Sequence, residues 1–358
     1  MILKKLNKQL KVLLFSSFTV FLVITILAVI PTSYDLTVPS QVSNIDEVYD
    51  FENVENNNVN VNSVAVYSYY KISVLNYLQA KLNPFAVIEK HDDYTNTSVE
   101  YGYTSGTIQK NVSLTNSLIV GYTYANKQIG KEFLGYIVHS IFGKGESLFK
   151  LGDIIVKCEG ISLTENLTVS KVLADKYGVI TGDDGLSYVN ITLDTIYNFT
   201  VLRDNKEVEV NTKAFPYIDG DEITPTLGIN YYGYYRLLND DTHPKYEINN
   251  PNTYGPSAGL MQALFIYDYL SFSNLTKGIK VVGTGTIDAF GNAGAIGGVK
   301  AKVMAANLSK ADIFFVPDAN YEEALEQYQK IKTKMKLVKV SNLQEVIDYL
   351  NNYQKGGN

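Results

Sequence analysis

The sequence is poor in the residues that usually carry side-chain catalysis. Cysteine occurs once, at Cys158, so no internal disulfide can form. It stands in the apolar run "DIIVKCEG", where a small core residue is its expected role. Histidine occurs three times, at His91, His139 and His243, which narrows the choice of a general base. Basic residues do not exceed acidic ones. Lys and Arg total 31 against 37 Asp and Glu, a formal charge of −6 at pH 7, which argues against a nucleic-acid binder. The glycine-rich run "GTGTIDAFGNAGAIGG" lacks the terminal Gly-Lys-Ser/Thr of a phosphate-binding loop, and its first part reads as a strand. ATP use is therefore not expected. "NDDTH", around His243, lacks a second histidine at a ligand spacing, so neither a metal nor another cofactor is expected.

What is present begins at the N-terminus. Residues 1–11 carry Lys4, Lys5, Lys8 and Lys11 and no acid. Residues 12–30 carry no charge at all. Those residues, rising 1.5 Å each, span roughly 28 Å, close to the hydrocarbon thickness of a bilayer. The flanking lysines place residues 1–11 in the cytoplasm and everything beyond Ile30 outside it. An uncleaved anchor fits better than a signal peptide, because "ILAVIPTSYD" offers no small-x-small cleavage site.

The chain has 358 residues, enough for two modest domains beyond the anchor. Residues 31–129 read as a linker, "NVENNNVNVNS", followed by a short strand and a helix ending before Pro84. "HDDYTNTSVEYGYTSGT" shows no clear pattern. Residues 130–215 read as short strands around one helix. "LGYIVHSIF" and "LGDIIVKCEG" are strands. "TENLTVSKVLADKYG" is a helix with a Thr start and a Gly stop, and "YNFTVLRDNKEVEVNT" is a hairpin turning at Asp204 and Asn205. From residue 216 onward strands alternate with helices, which predicts helices packed on a sheet.

"GPSAGLMQALFIYDYL" opens an apolar helix, with Pro256 suited to its first turn. Ser257 stands where free backbone N–H groups and the positive end of the helix dipole meet. It is either a helix cap or a nucleophile with an oxyanion site beside it. A nucleophilic serine needs a base. The histidines are poor choices, although a Ser–His pair using His243 stays open. In "VKAKVMAANLSKA", a helical wheel puts Lys302 in the stripe of Val299, Val303 and Ala306, and Lys300 off it. A desolvated lysine in the first turn of a helix has a depressed pKa and is a competent base. The alternative is a lysine that snorkels over the valines.

"GPSAGLMQAL", "GTGTIDAFGNAGAIGGVKAKVMAA" and "ADIFFVP" together resemble the proteolytic domain of Lon-type peptidases. The resemblance implies a serine–lysine dyad of Ser257 and Lys302. It makes Thr284 a support for the lysine and places Gly255 and Pro256 in the serine motif. The whole chain is similar to the SepM/YlbL type of membrane-anchored bacterial peptidase, which joins one anchor, a PDZ domain and a Lon-type domain. In that likeness Phe133, Leu134, Gly135 and Tyr136 match the PDZ loop that receives a peptide C-terminus beside an open strand edge. Phe133 departs from the usual glycine there. The implied architecture is an α/β (α+β) Lon-type proteolytic domain over residues 216–358. A small, mostly-β PDZ domain over 130–215 and an N-terminal transmembrane helix precede it. The implied function is ATP-independent serine endopeptidase action on secreted or membrane-associated polypeptides. The rival is a non-catalytic peptide-binding scaffold with a vestigial protease domain. Lon-type domains often assemble into rings, so a homo-oligomer is compatible with the resemblance.

Overall fold

The computed structural model describes residues 8–54, 59–92, 98–143, 147–182, 185–219, 222–249, 255–276 and 278–353. Residues 1–7, with Lys4 and Lys5, lie outside the described residues, as do 55–58 in the expected linker and 93–97 in the tyrosine-rich stretch. The chain opens with α1 (Lys8–Val29), a helix long and apolar enough to cross a membrane. Then follow β1 (Tyr34–Asn44), β2 (Val61–Tyr69), α2 (Val74–Leu82), β3 (Val87–Lys90) and α3 (Val99–Tyr124). The middle of the chain gives β4 (Gln128–Ile141), β5 (Ile154–Cys158), α4 (Val169–Tyr177), β6 (Ile196–Arg203), β7 (Lys206–Lys213) and β8 (Ile229–His243). The remainder is α5 (Gly259–Ser271), β9 (Val281–Gly283), α6 (Val299–Leu308), β10 (Ile313–Pro317), α7 (Tyr321–Gln329), β11 (Lys336–Val340) and α8 (Leu343–Asn352). Shorter two-stranded ribbons join these.

Six strands form one sheet in the order β11-β10-β9-β2-β1-β3. The strands β2, β9, β10 and β11 run parallel, and β1 lies antiparallel between β2 and β3. Alternate residues of each strand face opposite sides, and both sides are apolar. Val281, Ile313 and Phe315 join the helices α5, α8 and α3 in one core. Val282, Phe314 and Val316 join α6 and α7 in another, with Val64 of β2. A sheet buried on both faces needs near-continuous hydrophobic strands, and "IFFVP" supplies one.

The second unit is an antiparallel sheet in the order β7-β6-β5-β4-β8, with α4 packed beside it. Its core holds Val138, Ile155, Cys158, Val172, Leu173 and Phe199. Cys158 is fully buried, and burial pushes its thiol up to about 12, so it is a core residue. The hairpin β6–β7 turns at Asp204 and Asn205, with φ of 50° and 61°, the left-handed pair of a two-residue turn.

Two boundaries differ from those expected. The segment read as a linker, one short strand and a helix supplies β1, β2 and β3 to the same sheet as the C-terminal strands: Val61 of β2 stands beside Val281 of β9. The antiparallel unit therefore does not precede the α/β unit. It is inserted between α3 and α5 of that unit, entered through β4 and left through β8, which also lies beyond the expected limit of 215. Parallel pairing between residues so distant in sequence leaves no local signal.

The helix α3 was not legible as one. It packs between α5 and the two long strands, so it is buried on most sides and shows no clean apolar stripe. At Gly121 the two helices leave no room for a side chain: a Cβ there would lie 2.5 Å from Cβ of Ile266.

Candidate active site

Ser257 sits in the turn just before α5. The residue that caps α5 is Ala258, with no side-chain cap bond, so Ser257 is not the cap. Its hydroxyl makes no hydrogen bond among the described residues. Its carbonyl is held twice: Gly285 N–H donates to it at 2.8 Å and Thr284 Oγ1 at 3.1 Å. The helix N-terminus is held in turn, since Leu260 N–H donates to the carbonyl of Gly285 at 3.1 Å. The backbone N–H groups of Ser257 and Ala258 donate to no partner among the described residues. They stand at the positive end of α5, as an oxyanion site requires. Gly255 has φ of 85°, a left-handed turn that glycine adopts without strain, and this turn leads the chain into Pro256 and Ser257.

Lys302 is in the first turn of α6, and only 3% of it is exposed. Val299, Val303 and Ala306 around it are fully buried. Lys300 instead reaches the surface and pairs with Glu326 at 3.1 Å. Burial pulls the amine of Lys302 down to about 7, so near neutrality much of it is uncharged. Lys302 Nζ donates to Thr284 Oγ1 at 3.2 Å. Thr284 is fully buried and thereby links the amine to the backbone of the serine. Lys302 and Ser257 do not hydrogen-bond directly in this structure. Both line one cleft of about 410 Å³, with Val66, Ser68, Gln109, Tyr232, Pro256 and Gly298. The turn before α6 sits tightly on the sheet: a Cβ at Gly298 would come within 3.2 Å of Thr37 and Val66. Its φ of 67° also favours glycine.

None of the three histidines lines the cleft. His91 pairs with Asp35 at 2.9 Å. His139 is buried in β4 and stacks on Tyr232 at 3.9 Å, and burial pulls its imidazole down to about 4. His243 is exposed at the end of β8.

Phe133, Leu134, Gly135 and Tyr136 lie inside β4 rather than in a loop. β8 runs along one edge of this stretch, with Phe133 beside Tyr235 and Gly135 beside Tyr234. β5 pairs the other edge only at Tyr136 and Ile137, with Tyr136 beside Ile155. On the β8 edge the place of an added peptide strand is filled by the chain itself. Tyr136 nevertheless reaches a second cavity of about 270 Å³ next to the cleft. Tyr136, Glu165, Thr168 and Tyr235 of the inserted unit form one wall. Ile287, Phe290 and Ala293 of the glycine-rich turn form the other. Tyr232 and Pro256 border both cavities.

The contribution of α3 was not expected. Ser105, Gln109, Ser113 and Ser117 recur every fourth residue and lie on one face of the helix. Ser113 Oγ donates to the carbonyl of Pro256 at 3.1 Å, and Ser117 Oγ to that of Gly259 at 3.0 Å. Gly255 N–H donates to the carbonyl of Gly106 at 3.1 Å. The helix thus holds the serine turn from behind, and its i, i+4 polar row was the available signal.

A serine at a helix start, a buried lysine and a threonine between them form a site suited to acyl transfer. Residues 247–352 match the Lon protease (S16) C-terminal proteolytic domain, a span that contains all three. The Lon protease of Aster yellows witches'-broom phytoplasma (strain AYWB) is 35% identical over 92 residues, covering 26% of this chain and 11% of that protein. The Lon protease of Mesomycoplasma hyopneumoniae (strain 232) is 33% identical over 96 residues, covering 27% of this chain and 11% of that protein. The chain thus spans about a tenth of the length of these curated relatives. The likeness supports a serine peptidase.

Proposed function

We propose that this chain is a membrane-anchored serine endopeptidase that cleaves secreted or membrane-associated polypeptides outside the cytoplasm, without ATP. The nucleophile is Ser257 and the base is Lys302. The observation that carries this reading is a buried amine pulled down to about 7, facing the same cleft as a serine hydroxyl with no partner among the described residues. The uncharged amine takes the proton of Ser257 Oγ as the oxygen attacks the scissile carbonyl. The N–H groups of Ser257 and Ala258 receive the oxyanion. Thr284 accepts one N–H of Lys302 and so directs the nitrogen lone pair away from itself, toward the cleft. Lys302 returns the proton to the leaving amine, and water then releases the acyl group from the serine.

The anchor is α1, crossing once with the N-terminus in the cytoplasm. The inserted unit is PDZ-like and offers Tyr136 and Tyr232 to substrate through the second cavity, not through a strand added at the β8 edge. ATP independence rests on the absence of a phosphate-binding loop from this sequence.

The test is cleavage of a peptide library by the purified chain and by Ser257→Ala. Loss of cleavage by several orders of magnitude is expected. Cleavage that survives Ser257→Ala unchanged refutes the assignment.

A further inference from the structure

The last turns of α1 do not end in an open tether. α1 and α2 touch, and Leu27 is the one residue of α1 that is half-buried rather than exposed. Val74 N–H, the first residue of α2, donates to the carbonyl of Ile30 at 2.9 Å. Thr32 N–H donates to the carbonyl of Ile72 at 2.8 Å, and Ile72 N–H to that of Tyr34 at 2.9 Å. The ring of Tyr34 packs on that of Tyr77 of α2 at 4.9 Å. The apolar helix is therefore tied to the sheet within a few residues of its end.

Around that junction the chain exposes large amphipathic and apolar side chains. Leu82 is 87% exposed, Tyr67 57% and Tyr69 52%. Leu78 and Phe85 are also exposed. Tyr67 and Tyr69 share a face of the sheet with Leu36 and Val38 of β1, across from Val66 and Ser68, which line the cleft. Lys81 lies over the ring of Tyr77. Tyrosine with flanking lysine and leucine is the chemistry of a bilayer interface, where the ring is half wetted and the aliphatic group enters the acyl boundary.

We propose that α2 and the Tyr67–Tyr69 end of β2 form a lipid-binding face. It seats the catalytic unit directly on the bilayer and confines cleavage to polypeptide segments held close to the membrane. This rests on the reading of α1 as a span. The geometry sets the height. Ser68, at the cleft, pairs with Thr37, seven residues beyond Ile30. Along an extended strand that is at most roughly 23 Å from the end of α1. A substrate tethered to the same membrane reaches the cleft with a short juxtamembrane segment, and a site far out on a long stalk does not.

The experiment uses the full chain in phosphatidylcholine–phosphatidylglycerol vesicles, on a Cys158→Ala background. Single cysteines replace Leu82, Tyr69 or, on the distant hairpin, Lys206, and each carries a bimane. Vesicle flotation reads α1. Quenching by lipids bearing a nitroxide near the headgroup reads the face. Flotation with quenching several-fold stronger at positions 82 and 69 than at 206 is expected. Flotation with equal, weak quenching at all three overturns the proposal while leaving the anchor intact. Weak quenching at 82 with energy transfer between labelled copies overturns it in favour of a contact between chains. A chain that stays at the bottom of the gradient overturns the anchor reading and this proposal together. A second readout is Leu82→Glu/Tyr69→Glu, two positions that line neither cavity. It is expected to keep cleavage of a soluble peptide and to lose the preference for a juxtamembrane site over the same site on a long stalk. An unchanged preference overturns the proposal.

Discussion

The amine of Lys302 donates to the hydroxyl of Thr284 at 3.2 Å, and that hydroxyl donates in turn to the carbonyl of Ser257 at 3.1 Å. One buried threonine therefore fixes both the direction of the base and the backbone of the nucleophile. Its own backbone is anchored in the sheet, since Thr284 N–H donates to the carbonyl of Phe315 at 3.0 Å.

Thr284→Val keeps the shape and removes both bonds. Gly285 N–H still holds the serine carbonyl, so the fold survives. The amine loses its orienting acceptor. A loss of about 1–3 kcal/mol corresponds to a fall in kcat of roughly 5- to 150-fold, with little change in KM. Steady-state kinetics on one peptide substrate check this.

Lys302 also makes stability depend on pH. The folded state holds the amine near 7, against 10.5 ordinarily. Between those values the unfolded chain binds more protons, so stability rises with pH from about 7 to 10.5. Below about 7 both states are protonated, and the cost of a buried charge is borne in full. The displacement corresponds to roughly 5 kcal/mol as an upper limit. Lys302→Met removes the cost, so its gain in melting temperature is largest at or below pH 7 and shrinks towards pH 10. Thermal melts of both proteins across that range measure it.

The packing of α3 on α5 tolerates no added atom at Gly121. Gly121→Ala sets a methyl 2.5 Å from Cβ of Ile266, an atom that cannot swing away. The expected destabilisation is about 1–3 kcal/mol. Because α3 also holds Pro256 and Gly255, activity per folded molecule falls with it. Urea denaturation and active-site titration separate the two effects.

In the inserted unit, Arg203 makes two bonds to Asp153, at 2.8 and 2.6 Å, and that carboxylate is 1% exposed. Arg203→Ala leaves the charge buried and unpaired, at a cost of roughly 3–5 kcal/mol. Unfolding followed by the tyrosine signal of this unit gives the value.

Local chemistry was legible in the sequence, and long-range pairing was not. The wheel that set Lys302 on the core side and Lys300 off it uses only the helical repeat, and the burial of the two lysines follows it. Gly178 ends α4 as its residue type predicts, while the helix starts after Thr168, four residues beyond the first threonine of the stretch read as helical. The alliance of Val61 with Val281 is a non-local parallel pairing that no window of sequence contains. The same reason hid the insertion of the antiparallel unit and the filling of the Phe133–Tyr136 edge by β8. The helix α3 was hidden differently, because its polar residues face other polypeptide rather than water.

The central claim is that an uncharged Lys302 activates Ser257. Its most direct test is the rate of covalent labelling by a fluorophosphonate as pH rises, in the unaltered chain and in Lys302→Met, His243→Ala and Ser257→Ala. The account predicts labelling that rises through a single ionisation near 7 in the unaltered chain and in His243→Ala, and none in Lys302→Met or Ser257→Ala. Labelling that keeps its rate and pH dependence in folded Lys302→Met would contradict it.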